Sequence, residues 1–215
     1  MSIPRSASRV FLGALLLSAV PLLADGSRVI YTKSFPGSLP PFQSLAVDRD
    51  GSVVYNETED LDNAEKFRLE PAAAERIFEI AAKLDHFKNP LESGLKVANM
   101  GRKTFIWEDG DAKTQSSFNF SQSEDARALM EIMENAGDSV RMLIELRRVI
   151  RHDRLGVNAS ILKIQAAWDN KKLMGTPDFL PILDQVAKNE ALLHMARERA
   201  AQVADGIRNM GNGKK

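Results

Sequence analysis

The chain has 215 residues, in which 29 Lys and Arg balance 29 Asp and Glu, and 44% of it is hydrophobic against 27% charged. Such a composition describes a globular protein with a core and excludes a disordered chain, while zero formal charge argues against strong non-specific attraction to nucleic acid or anionic lipid. Cysteine is absent, which excludes disulfide frameworks, thiol nucleophiles and lipid attachment through a cysteine.

Residues 1–24, MSIPRSASRVFLGALLLSAVPLLA, read as an export signal. Arg5 and Arg9 make a positive n-region, residues 10–23 carry no charge, and Ala24 precedes the polar Asp25 and Gly26. The apolar run is shorter than the roughly 18 residues of a membrane span, and Pro21 breaks its end. Cleavage after Ala24 is expected. Leu22 at the minus-three place is larger than the usual small residue, so an uncleaved anchor is the alternative. A chain sent to an oxidising space without cysteines must be held by its core alone, which favours a bacterial periplasm or the extracellular medium. The Asn-x-Ser/Thr triplets at Asn56, Asn119 and Asn158 read as chance occurrences.

Residues 25–41 read as an extended leader, because SFPGSLPP at 34–41 concentrates proline. A sheet domain is expected over 42–137. Residues 45–47 and 52–55 flank Asp48-Arg49-Asp50-Gly51, whose Asp-Gly pair suits a hairpin turn. Over 71–87, Ala74, Ile77, Phe78, Ala81, Leu84 and Phe87 recur at helical spacing, with Pro71 in the first turn and Asn89-Pro90 as the stop. Three more strands are expected at 95–98, 103–107 and 115–120, separated by Asn99-Met100-Gly101 and Asp109-Gly110. The fold class is therefore α+β, a five-stranded antiparallel sheet with one packed helix in the order ββαβββα, followed by a C-terminal bundle of antiparallel helices.

Ser121 and Glu124 fit a capping box that opens a helix running to about His152. Gly137 interrupts that run at a cost of about 1 kcal/mol relative to alanine, so it reads as a break and as the domain boundary. The helical region is expected over 138–211, with helices at about 158–173 and 177–210. The second of these divides near Asn189, and residues 212–215 read as a disordered tail.

Chemical signatures are sparse. Asp48, Asp50, Gly51 and Glu57 match positions of a calcium loop, but Ala46 would occupy the first ligand position, so the turn reading is simpler. His86, His152 and His194 lack the close spacing of metal ligands. GxSxG, SxxK, GxxxxGK[ST] and GxGxxG are absent, so no catalytic, cofactor or metal residue is assigned. The acidic pairs Glu59-Asp60 and Glu108-Asp109 read as solvated charge beside turns. Phe105, Trp107, Phe118 and Phe120 alternate as one buried sheet face, although exposed they would suit carbohydrate or peptide stacking. Arg147, Arg148, Arg151 and Arg154 form the densest basic cluster, either a solvated helix face or a docking patch for an acidic partner.

The runs LAVDRDGSVVYN and FRLEPAAAERIFEIAAKLDHF resemble small exported bacterial domains of unknown function, in which a V-x-x-D-G-x-V-x-Y hairpin precedes a helix ending in an aromatic. KVANMGRKTFIWEDG and FLPILDQVAKNEALLHMARERAAQVADGIRN look like parts of similar exported proteins. The resemblance implies an exported α+β protein and transfers no catalytic residues. The expected function is a non-enzymatic module that binds a protein partner through its C-terminal helices or has a structural role. No nucleic acid, no cofactor and no stable membrane anchor after signal cleavage are expected. The alternative is an extracytoplasmic hydrolase acting on cell-wall or carbohydrate material, with a site assembled only in three dimensions.

Overall fold

The computed structural model describes residues 26–60 and 63–212. Among these residues, six strands make one antiparallel sheet, and five α-helices accompany it. Strands β1 (Arg28–Ser34), β2 (Phe42–Asp48), β3 (Ser52–Asn56) and β4 (Glu65–Arg68) lead into α1 (Pro71–Lys83). After one turn of 3-10 helix at Asp85–Phe87 come β5 (Arg102–Asp109), β6 (Ala112–Phe118), α2 (Glu124–His152), α3 (Gly156–Asp169), α4 (Thr176–Lys188) and α5 (His194–Asn212). The expected export signal, and all but the first residue of the expected tail, lie outside the described residues.

The α+β class and the antiparallel sheet match the expectation, but the strands differ in number and identity. The spatial order is β4-β3-β2-β1-β5-β6, so β1 lies inside the sheet and pairs with β2 on one side and β5 on the other. It occupies the stretch expected as an extended leader. Val29 and Tyr31 point inward with strand periodicity, and the prolines begin only at Pro36, after the strand has ended. The strand expected at 95–98 is irregular instead. Gly94 and Gly101 adopt φ of 68° and 86°, and side chains hold the loop where a ladder would. Leu91 N donates to Ser116 Oγ at 2.9 Å, Met100 N to Asn119 Oδ1 at 2.8 Å, and Asn119 N to Glu92 Oε2 at 2.6 Å. The short β4 completes the sheet beyond β3.

One sheet face is apolar and covered. Val29, Tyr31, Leu45, Val47, Val53, Tyr55, Phe67, Phe105, Trp107 and Phe118 are buried there, whereas Ile30, Thr32, Ala46, Val54, Thr104 and Ile106 on the opposite face are half-buried. Helix α1 turns Ile77, Phe78 and Ala81 toward this face, and Phe78 meets Trp107 edge to face with ring centres 5.8 Å apart. The 3-10 turn brings Phe87 onto Phe105 at 5.2 Å. Asp85, His86 and Phe87 all have left-handed φ, and burial of Phe87, worth about 1.5–3 kcal/mol, offsets part of that strain.

Helix α2 is the central support. It passes through Gly137 unbroken, because there it comes close to the sheet: a Cβ on Gly137 would lie 3.2 Å from Gln43 Oε1 and 3.4 Å from Leu45 Cδ1. The boundary expected between 137 and 138 thus falls inside one helix. Its N-cap is Ser123, which accepts from Ala126 N at 3.2 Å, in place of Ser121. The later helices follow the expected pattern, with the break near Asn189 separating α4 from α5. The start of α4 is tied back to the sheet. Glu70 accepts from Gly175 N, Thr176 N and Thr176 Oγ1 at 3.0, 2.8 and 2.6 Å, satisfying amides that the helix itself leaves free. Buried residues from Val29 to Ile207 form one continuous core.

Candidate functional site

The four arginines singled out by sequence stand on and just beyond the last turns of α2, where positive charge interacts favourably with the helix C-terminus. They divide into two kinds. Arg147 reaches Glu65 on the edge strand β4 at 3.4 Å. Arg148 grips Glu145 with two bonds of 2.8 Å, which holds the Glu145 carboxyl below the usual range and raises the Arg148 guanidinium. Arg151 and Arg154 are exposed and have no ion-pair partner among the described residues. Beside them Leu155 is 76% exposed at the turn into α3. That turn is fixed by Asp153, which accepts from Gly156 N through its carboxylate at 3.0 Å and its carbonyl at 3.1 Å. The arrangement presents two free guanidinium groups and an apolar tip on a rigid support.

At the other end of α2 lies a polar cluster that sequence reading missed. Lys33 on β1 and Lys103 on β5 are register neighbours on the covered face, and Glu134 descends toward them from α2. Lys33 Nζ meets Glu134 Oε1 at 2.7 Å, and the Tyr31 hydroxyl donates to the same oxygen at 3.0 Å. Burial, with Glu134 adding to it, raises the Tyr31 phenol far above its ordinary range. Lys103 is only 4% exposed, and its ammonium donates to the carbonyls of Met100, Gly101 and Asn119 at 3.1, 3.2 and 2.8 Å. Burial, reinforced by the neighbouring Lys33 charge, lowers its pKa. Beside the cluster is a cavity of about 310 Å³ lined by Lys33, Met100, Lys103, Phe118, Asn119, Phe120, Ser121, Arg127, Met130 and Glu134. The usable sequence signal was the alternation Val29, Tyr31, Lys33, which marks the inward side of β1.

The other residues marked by sequence fall elsewhere. Asp48 to Gly51 make the β2–β3 turn, with Gly51 N donating to Asp48 O at 2.9 Å, and Asp50 accepting from Ser52 N and Oγ, each at 2.9 Å. His86 lies against Trp107 with ring centres 4.2 Å apart and planes tilted by 43°, His152 is exposed at the end of α2, and His194 lies 3.3 Å from Glu198 on α5. Among the described residues no three His, Asp or Glu side chains converge as a metal site. Glu108 pairs with Lys113 at 2.8 Å across the β5–β6 turn. Phe105, Trp107 and Phe118 are buried in the sheet face, while Phe120 follows the strand and borders the cavity. Comparison with protein-family models and with curated proteins finds no match.

Proposed function

We propose that this is an exported, non-enzymatic interaction module that docks an acidic protein partner on the α2–α3 end of its helical layer. The observation that carries the reading is the trio Arg151, Arg154 and Leu155, exposed together at one turn while Arg147 and Arg148 are engaged within the chain. Free guanidinium groups around an apolar tip suit a carboxylate-bearing surface, because arginine binds carboxylates in a paired geometry and the leucine adds desolvated contact. Export rests on the charge and hydropathy pattern of residues 1–24. The non-enzymatic reading is supported by the placement of the three histidines on separate elements, each engaged or solvated on its own.

The test uses the full chain with a photo-crosslinking residue at Leu155, exposed to the exported protein fraction. The expected result is one predominant adduct that disappears in Arg151→Glu/Arg154→Glu, with the thermal midpoint of the doubly substituted protein unchanged. The adduct's crosslinked peptide should be rich in Asp and Glu. An adduct that survives both substitutions, the absence of any adduct, or retention by phosphatidylglycerol vesicles with no protein adduct would each overturn the reading.

A further inference from the structure

We propose that the cavity between α2 and the β1-β5-β6 end of the sheet binds a small amphiphilic monoanion, a carboxylate on an aliphatic or aromatic body. This site is separate from the docking surface. Arg127 and Arg151 are 24 positions apart on one helix, about 36 Å at 1.5 Å per residue.

The shape and the charge of the cavity point to the same ligand class. A volume of about 310 Å³ is at the small end of ligand sites. Part of the lining is apolar and adaptable, formed by Phe118, Phe120, Met100 and Met130. The same lining carries three cations, Lys33, Lys103 and Arg127, against the single carboxylate of Glu134: the sheet side sets Lys103 beside its register partner Phe118, and the helix side carries Arg127, Met130 and Glu134.

That carboxylate is already engaged by Lys33 and Tyr31. Lys103 has spent its three donors on backbone carbonyls, and among the described residues no carboxylate comes within ion-pair distance of its ammonium. Glu134 and Glu92 act on it from beyond that distance, and a buried ammonium with hydrogen bonds but no carboxylate in contact gains from an anion placed beside it. Arg127 is exposed beside the cavity and its guanidinium has no hydrogen-bond or ion-pair partner among the described residues, so its planar fork is free to take a carboxylate. Lys33 is only partly committed, since one of its three N–H groups serves Glu134. The ligand's head would lie between Lys33 and Arg127, with Lys103 contributing charge from behind, and its body would lie on Phe118 and Met130. A neutral alcohol would leave the charges of Lys103 and Arg127 without an ion-pair partner. An inorganic anion would leave the apolar side chains of the lining wet.

Octanoate, 1-octanol and inorganic phosphate separate these contributions, titrated into the full-length protein carrying methyl-labelled methionine. Octanoate should shift the Met100 and Met130 methyl signals and leave those of the distant, exposed Met195 and Met210 in place. Octanol and phosphate should each bind at least about tenfold more weakly, equivalent to about 1.4 kcal/mol. Arg127→Gln, at an exposed position whose side chain has no partner among the described residues, should weaken octanoate about fivefold. Met130→Trp should abolish binding by filling the cavity. Equal affinity for octanol or phosphate, unchanged affinity in Arg127→Gln, or static Met100 and Met130 signals up to roughly 10 mM octanoate would overturn the proposal.

Discussion

Single residues carry much of what distinguishes this molecule. The chain has two tyrosines, Tyr31 and Tyr55, both buried, and each donates its hydroxyl to a glutamate, Glu134 at 3.0 Å and Glu57 at 2.8 Å. Burial raises both phenols well above their ordinary range, and the adjacent carboxylates add to the effect. The unfolded chain loses these protons near pH 10, whereas the folded chain keeps them. The stability they contribute is therefore whole below about pH 10 and falls as pH rises beyond it. Phenolate absorbance should appear only together with loss of the far-ultraviolet circular dichroism signal. Absorbance rising near pH 10 in a still-folded protein would contradict this. Gly175 makes a second case. Its φ of 62° suits glycine, and a Cβ there would lie 1.9 Å from Phe67 Cζ, so the ring itself occupies the space a side chain needs. Gly175→Ala should cost about 2–4 kcal/mol in urea unfolding, the sum of backbone strain and displacement of a core ring.

Among the elements, β1 has the widest structural consequence and was the least legible. It forms seven-residue ladders with β2 and β5, yet its sequence RVIYTKS holds only two strongly inward apolar residues and runs into a proline-rich turn. The inward lysine Lys33, which ends the apolar alternation, is tolerated because Glu134 meets it from α2. Proline at Thr32, opposite Ser44 on one side and Thr104 on the other, should prevent folding, since it removes a ladder bond from an interior strand. Circular dichroism of Thr32→Pro showing the native spectrum would refute the central placement. The helices were far more legible. Long stripes at helical spacing, with Pro71 at one start and Gly175-Thr176-Pro177 at another, located α1, α2, α3, α4 and α5 to within a few residues. The misreadings had local causes. Gly137 lowers helix propensity in isolation but permits the close approach of α2 to Gln43 and Leu45, and Leu95 and Val97 look like strand residues but stay exposed in a loop. The basic cluster was legible as a set. Its division into paired Arg147 and Arg148 and free Arg151 and Arg154 depended on Glu65 from β4 and on Glu145 one turn back on α2.

In the whole molecule, α2 joins the sheet to the remaining helices. Gly137 stands where it approaches the sheet, Ser139 Oγ accepts from Met174 N at 2.9 Å, and Glu70 holds the start of α4 against the β4–α1 junction. With one continuous core, sheet and helices should unfold together. The chain's two tryptophans report on the two parts, Trp107 from β5 and Trp168 from α3, where it packs near Gly206 on α5. Single-tryptophan variants should give coincident urea transitions, and midpoints separated by more than about 0.5 M would show two units that unfold independently. Sequence by itself determined the α+β class, the absence of disulfides, the helical C-terminal half and the arginine cluster, because composition and periodicity are local properties of the chain. Tertiary structure alone decided that β1 lies inside the sheet, that two of the four arginines are free, and that Lys33, Lys103 and Glu134 meet beside a cavity. Those residues come from β1, β5 and α2, and no spacing along the chain encodes the distance between side chains that only folding brings into register.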